Sequence, residues 1–377
     1  MILYLIILFS IYLFFLSYIT YHWLQMPSYF NSYQPKTSIT VIIPVRNEAA
    51  NIAYLLSDLQ KQSYPKQLLE IIVVNDHSTD NTVNEVEKMQ DIVDYKLILL
   101  HLKYPKMYSG SRKKLAITEA IKQATGDLIV TTDGDCRLHP EWLYYMNYPF
   151  QEQKAVFVAG PVTFMEEKTF FQRLQTIEFA SLIVTGAVSI NKKKPTMCNG
   201  ANLAYAKKVF AQVNGYEGNE DIASGDDEFL LQKISKHFNT DQIIYQKAKP
   251  AIVSTVAQVN WRQFKQQRRR WAGKWKKHGN PVIISLALFI FLFHCSFIGS
   301  FIYLFLASQD NLLILSFIFA KILLEFILLK NALEFLNKKL NLLKFIILQI
   351  LYSFYVVYFG IAANFGTFNW KGRTYKS

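Results

Sequence analysis

Two carboxylates, Asp133 and Asp135, stand one residue apart in the string TTDGDC, residues 131–136, directly after the run Asp-Leu-Ile-Val. A short apolar run of that kind reads as a buried strand. In open α/β sheets ligands bind beyond the carboxyl ends of the strands. Two hard oxygen ligands placed there suit a divalent metal, Mg2+ or Mn2+, which in turn could hold a diphosphate. The plain alternative is a solvated Asp-Gly turn. A second acidic pair, Asp226 and Asp227 in SGDDEFLL (224–231), opens a segment that reads as a helix. A carboxylate there could serve as a general base, or simply favour the start of that helix. A third group is basic: QQRRRW (266–271) lies in an apparent helix over 260–278 with Trp261, Phe264, Trp271 and Trp275. Arginine suits phosphate because its planar fork donates two bonds at once, although basic residues and tryptophans beside a span also anchor at the membrane interface.

The elements that must position these groups alternate. ITVIIPV (39–45), LEIIVVND (69–76), YKLILL (95–100) and DLIVTTD (127–133) read as strands, with helical candidates near 49–62, 80–90 and 112–124 between them. Strands that are apolar throughout and separated by helices predict an α/β fold with a mostly parallel sheet covered on both faces. The chain contains neither a Walker A loop nor Gly-x-Gly-x-x-Gly, so neither common phosphate-binding loop is available.

Of 377 residues 51% are hydrophobic, and the apolar excess is concentrated at the two ends. Residues 1–24 carry no charged side chain and are long enough to cross a bilayer, without the basic start of a cleaved signal peptide. They predict a retained anchor, followed by a polar linker over 25–38. Residues 281–308 and 345–368 are uncharged apart from His294, and 311–330 is apolar but holds Lys321 and Glu325, four apart on one helix face and able to pair. This divides the chain into an anchor (1–24), linker (25–38), catalytic domain (39–259), interfacial helix (260–280), C-terminal transmembrane region of about three segments (281–368) and basic tail (369–377). His294 and Cys295 are expected to pack within their apolar run. Three well-separated cysteines, Cys136, Cys198 and Cys295, make no disulfide framework and suit a reducing compartment.

The formal charge of +13 suits an anionic membrane surface or a phosphorylated substrate, and no motif supports nucleic acid. RRRWAGKWKK (268–277) precedes the second span, which places that end in the cytoplasm of a multi-pass plasma or inner membrane protein. Lys330, Lys338, Lys339 and Lys344 flank the later spans on the same side. Four full crossings would leave the tail outside, whereas its Lys371, Arg373 and Lys376 belong inside. Parity and charge agree only when one apolar segment does not fully cross.

Taken together in their order along the chain, IIPVRNEAANI (42–52), VVNDHSTDNT (73–82), DGDC, CNGAN (198–202), SGDDEFLL and the Gln-x-x-Arg-Trp of Gln267, Arg270 and Trp271 resemble the family 2 glycosyltransferases over roughly residues 38–275. The tail WKGRTY is loosely similar to ceramide-glucosyltransferase-like members. The resemblance implies a nucleotide-sugar-binding A-type domain that transfers a sugar with inversion from a nucleoside diphosphate sugar to a lipid or lipid-linked acceptor. It implies that Asp135 ligates the metal and that Asp133 contacts ribose and the metal. Pro44, Glu48 and Asp76 would line the nucleotide pocket, where Glu48 and Asp76 are otherwise turn or cap residues. Asp227 would be the base. Asp226, Gly200 and Trp271 would face the acceptor, and Gln267 and Arg270 the diphosphate. Arg268 and Arg269 have no motif role and are expected near lipid head groups. Lys113 or Lys114 would approach the donor, or form a solvated helix start. The alternatives are a processive polysaccharide synthase and a non-catalytic nucleotide-sugar-binding membrane subunit.

Overall fold

The computed structural model describes residues 2–28, 30–105, 110–274, 279–306, 311–362, 365 and 367–376. In chain order the elements are α1 (Ile2–Gln25), β1 (Ile39–Val45), α2 (Ile52–Gln60), β2 (Leu69–Asn75), α3 (Thr82–Gln90), β3 (Lys96–His101), α4 (Arg112–Gln123), β4 (Leu128–Thr131), α5 (Trp142–Gln153), β5 (Phe157–Ala159), β6 (Val162–Phe164) and α6 (Phe170–Asn191). They continue as β7 (Leu203–Ala206), α7 (Lys207–Gln212), α8 (Asp226–His237), β8 (Ile243–Tyr245), β9 (Val253–Thr255), α9 (Trp261–Ala272), α10 (Pro281–Leu306), α11 (Asn311–Phe335), α12 (Leu342–Ala362), β10 (Thr367–Trp370) and β11 (Arg373–Lys376). Two compact units result, one of residues 27–166 and 189–257, the other of 1–26, 167–188 and 258–377.

The first unit is built on a seven-stranded sheet in the order β3-β2-β1-β4-β7-β5-β8. The β-branched runs of β1 and β2 are buried along almost their whole length, as strands covered on both faces must be. β3 at the edge is only half-buried, a departure from the expected wholly apolar environment. β3, β2, β1 and β4 run parallel, β7 is antiparallel to both β4 and β5, and β8 is parallel to β5. Register then decides what meets at the rim. Val45 pairs with Asn75, so β1 and β2 end level. Thr131 pairs with Ile42 on one side and with Leu203 on the other, so the Asp133–Asp135 turn lies beside the segment that enters β7.

The second unit gathers the five helices that, among the described residues, are long and apolar enough to cross a membrane: α1, α6, α10, α11 and α12. The span-like length of α6 was not anticipated from the sequence. It falls within 39–259 yet groups with the terminal helices, and Glu178 on it is buried. α1 runs parallel to α11, with Phe9 against Phe317 and Trp23 against Phe335 (ring centroids 5.7 and 5.2 Å apart). The charges of α11 are resolved inside the bundle: Lys321 Nζ lies 3.0 Å from Glu325 Oε2 and donates to Gln349 Oε1 at 2.6 Å, while Tyr12 OH donates to Glu325 Oε1 at 2.8 Å. His294 is buried and shares a hydrogen bond of 2.9 Å with Ser353, as packing within the run requires; Cys295 is partly exposed.

Candidate active site

Two loops leave the level ends of β1 and β2 and are fastened to each other. Asp76 N donates to Val45 O (2.9 Å), Arg46 Nη1 to the carbonyls of Asp76 and His77 (2.7 and 2.9 Å), and Thr79 N to Asn47 Oδ1 (2.8 Å). Glu48 N donates to Thr82 Oγ1 at the start of α3 (2.8 Å). Asn47 and His77 both take left-handed backbone (φ 55° and 54°), a strained geometry held by these bonds. Pro44 is partly exposed one residue before β1 ends. Asp76 is buried, and Tyr104 OH donates to its Oδ1 at 2.6 Å. The Arg112 guanidinium lies 5.1 Å from the Tyr104 ring centroid. No motif pointed to Tyr104 or Arg112.

The acidic turn packs on the same rim. A Cβ on Gly134 would stand 2.9 Å from Val45 Cγ1 and 3.1 Å from Glu48 Cγ, so glycine lets the Asp133–Asp135 turn close over Glu48. Glu48 Oε2 in turn accepts from Asn51 (2.9 Å), and its carbonyl starts α2.

Asp226 and Asp227 occupy the first turn of α8. Gly225, at φ 81°, turns the chain into it. The two carboxylates diverge. Asp227 accepts from Gly200 N at 3.0 Å and from Glu228 N at 2.8 Å, whereas Asp226 faces Lys113 Nζ at 3.1 Å. Lys113 Nζ is also 2.8 Å from Asp133 Oδ1, so one ammonium joins the two acidic motifs. Burial alone would lower the Lys113 pKa; Asp133 and Asp226, with Asp227 beyond, outweigh it and hold it above the ordinary lysine value. Gly200 is where β4, β7 and α8 come together. Thr131 Oγ1 donates to its carbonyl at 3.0 Å, and a Cβ there would meet Asp226 Oδ2 at 2.7 Å and Lys113 Nζ at 3.2 Å.

The helix start at Lys113 and Lys114 is therefore not a solvated one. Ser111 caps α4 and aims Lys113 at the carboxylates. Lys114 is buried, donates to Asn219 O (2.6 Å) and lies 4.8 Å from the Phe229 ring centroid. The contact of Lys113 with Asp226 joins distant parts of the chain, and no spacing in the sequence marks it. The Asn202 of CNGAN is a structural hub: its Nδ2 donates to the carbonyls of Pro161 and Ala251 (both 2.8 Å), and its Oδ1 accepts from the Trp142 indole (2.9 Å).

Among the described residues no group of three or more His, Cys, Asp or Glu side chains is arranged to hold a metal alone. Mg2+ and Mn2+ commonly take one or two carboxylates and fill the remainder of their shell with phosphate and water. Asp133, 38% exposed at its side chain and 2.8 Å from the Lys113 ammonium, and Asp135 are hard oxygen donors of the kind such an ion takes.

Gln267, Arg270 and Trp271 belong to α9, in the other unit. There the expectation for Arg268 is corrected. Its guanidinium is buried, not turned to lipid head groups, and forms an ion pair with Glu178 of α6. It lies between the rings of Phe264 and Trp271, 4.5 and 4.2 Å from their centroids, and donates to Gln267 Oε1 at 2.7 Å. Tyr355 of α12 donates to the other Glu178 oxygen at 2.9 Å. Trp271 also stacks on Phe179, with centroids 5.8 Å apart. Arg269 donates to the Phe365 carbonyl. Trp275 lies outside the described residues.

A family model described as glycosyl transferase family 2 matches residues 40–213, and one described as glycosyl transferase family group 2 matches residues 128–361, more than half of the chain. The poly-beta-1,6-N-acetyl-D-glucosamine synthase of Staphylococcus aureus (strain COL) is 30% identical over 165 residues, 44% of this chain and 37% of the synthase. The probable glycosyltransferase YdaM of Bacillus subtilis (strain 168) is 25% identical over 266 residues, 69% of this chain and 59% of YdaM. The chain thus spans less than two thirds of the length of either relative. A solved mannosyltransferase, PcManGT from Pyrobaculum calidifontis, in complex with GDP-Man and Mn2+, has the same fold: TM-score 0.55 at 17% identity, covering 96% of this chain and 94% of that one.

Proposed function

The chain belongs to the family 2 glycosyltransferases, and from that premise we propose a membrane-bound, inverting, metal-dependent enzyme. It moves a sugar from a nucleoside diphosphate sugar to a lipid or lipid-linked acceptor, with its catalytic domain in the cytoplasm. The observation that carries this reading is the cluster of Asp133, Lys113, Asp226, Asp227 and Gly200 beyond the carboxyl end of β4. PcManGT, whose fold this chain shares, is a mannosyltransferase solved in complex with a nucleotide sugar, GDP-Man.

In this mechanism the acceptor hydroxyl oxygen bonds to the anomeric carbon while Asp227 takes its proton. The bond from that carbon to the diphosphate breaks, and the nucleoside diphosphate leaves with the electron pair. Attack opposite the leaving group inverts the centre. The Gly200 and Glu228 amides orient Asp227. Asp76 and Glu48 line the nucleotide side with Pro44. Asp133 and Asp135 would hold Mg2+ or Mn2+, which when bound neutralises charge gathering on the departing diphosphate. Asp226 and Gly200 bound the acceptor side. Gln267 and Arg270 are assigned to the diphosphate and Trp271 to the acceptor.

A second reading, a processive polysaccharide synthase, is favoured by one finding, the likeness to the S. aureus polymer synthase. Against it, Lys321, Glu325, Gln349 and Tyr12 of the spans are turned onto one another, and a polymer channel needs a polar, wetted lining. Purified protein in detergent, incubated with a panel of nucleotide sugars and extracted lipids, is expected to yield a lipid bearing one or very few sugars by mass spectrometry. A lipid-free polymer of high molecular weight would promote the synthase. Absence of transfer from every donor by well-folded protein would overturn both.

A further inference from the structure

The contacts of α12 decide which apolar segment does not cross. α10 and α11 form a hairpin, with Asn311 Nδ2 donating to Leu304 O (3.4 Å), so α11 returns to the side on which α10 begins. α12 starts on that same side, because only residues 336–341 separate it from the end of α11. A crossing helix would then move steadily away, and its contacts on α10 would advance from the beginning of α10 toward its end. They do the reverse. Ser353 meets His294, and seven residues later Gly360 meets Phe291, closer to the start of α10. At a rise of about 1.5 Å per residue, α12 advances ~10 Å while its partner on α10 falls back.

The second half of α12 is held by α9 and α6. Tyr355 and Phe359 pack on Phe264 (centroids 5.9 and 6.2 Å), Phe359 lies 6.2 Å from Trp261, and Tyr355 bonds Glu178. α9 carries Arg262, Lys265, Gln266 and Arg269 on partly or fully exposed positions. A helix so charged belongs at the surface of a bilayer and not within the far leaflet. The chain after α12 stays there too, since the Phe365 carbonyl accepts from Arg269.

We propose that α12 lies in the plane of the membrane, in the leaflet on the α9 side, and does not cross. The occupant of its outer face is the acyl region of that leaflet. Leu343, Ile346, Ile350, Phe354, Tyr358 and Ile361 form one exposed apolar stripe along the helix, while Phe345, Gln349, Ser353 and Phe359 face protein. α1, α10 and α11 remain as three crossings, and the basic tail comes to the same side as α9. Parity and the positive-inside rule then agree. Only the label "cytoplasmic" for that side rests on the function proposed above; the shared side of α9 and the tail does not.

Two epitope tags test this, one inserted between Asn31 and Ser32 and one added after Ser377, each in the otherwise unaltered full chain. Protease is applied to sealed spheroplasts and to permeabilised ones. Both tags are expected to persist in sealed spheroplasts and to be lost together on permeabilisation. Loss of the tail tag alone in sealed spheroplasts would show a fourth crossing and overturn the proposal. Loss of both in sealed spheroplasts would uphold the in-plane helix and overturn the cytoplasmic reading of the catalytic domain.

Discussion

Asp227 accepts a backbone amide on each carboxylate oxygen, so the near-isosteric Asp227→Asn keeps one of the two bonds, at its Oδ1, while removing the proton acceptor. The variant is expected to fold and bind donor but to transfer about 10²- to 10⁴-fold more slowly; unchanged turnover at normal thermal stability would remove Asp227 from the chemistry. Gly200→Ala places a methyl against Asp226 Oδ2 and Lys113 Nζ. Both are ends of side chains that can swing aside, so the expected result is a folded protein with a displaced ion pair, impaired transfer and a stability loss of about 1–3 kcal/mol by thermal unfolding. Chelation is expected to abolish transfer and Mn2+ or Mg2+ to restore it, with Asp135→Ala weakening donor binding by calorimetry; full activity in excess chelator would make the acidic turn structural. The acidic residues of this site were legible in the sequence because each stands in a local string. Lys113 was named there without its carboxylate partners, and Tyr104 and Arg112 not at all, because those contacts come from other strand ends.

At the scale of elements, the sheet was readable because β1, β2 and β4 are runs of apolar, largely β-branched residues that only a doubly covered strand accommodates. The antiparallel insertion of β7 beside β4 was not readable, since the four residues Leu-Ala-Tyr-Ala carry no directional signal. The A-type fold expected from the motifs agrees with the sheet order and with the PcManGT likeness. α6 was missed as an element because Arg173 and Glu178 interrupt its apolar character, and only the partner of Glu178 explains that charge. Removing one side of the buried Arg268–Glu178 pair, in Arg268→Met or Glu178→Gln, is expected to cost about 3–5 kcal/mol because an uncompensated charge stays buried. The double variant Arg268→Met with Glu178→Gln should recover much of that loss, measured as a double-mutant cycle of thermal stability in detergent. Additive losses would show that the two side chains act separately.

On the scale of the whole molecule, the two ends of the chain share one membrane bundle, and the Glu325 carboxylate takes bonds from both Lys321 and Tyr12. That arrangement has a consequence for biogenesis. α1 leaves the ribosome long before α11, and some three hundred residues must be synthesised before the partner of Tyr12 exists. A helix bearing a lysine and a glutamate enters lipid unfavourably, by roughly 2.5–3.5 kcal/mol for a central Lys. An anchor already waiting in the bilayer lowers that barrier by offering Tyr12 to Glu325 as α11 arrives. Tyr12→Phe keeps the ring stacked on Phe293 (3.5 Å between centroids) and deletes only the hydroxyl. Its expected effect is therefore on yield: a smaller fraction of newly made chains reaching the carbonate-resistant membrane fraction in a pulse–chase, with transfer per inserted molecule unchanged. Equal insertion would mean that α11 enters unaided, and that α1 serves it only after assembly is complete.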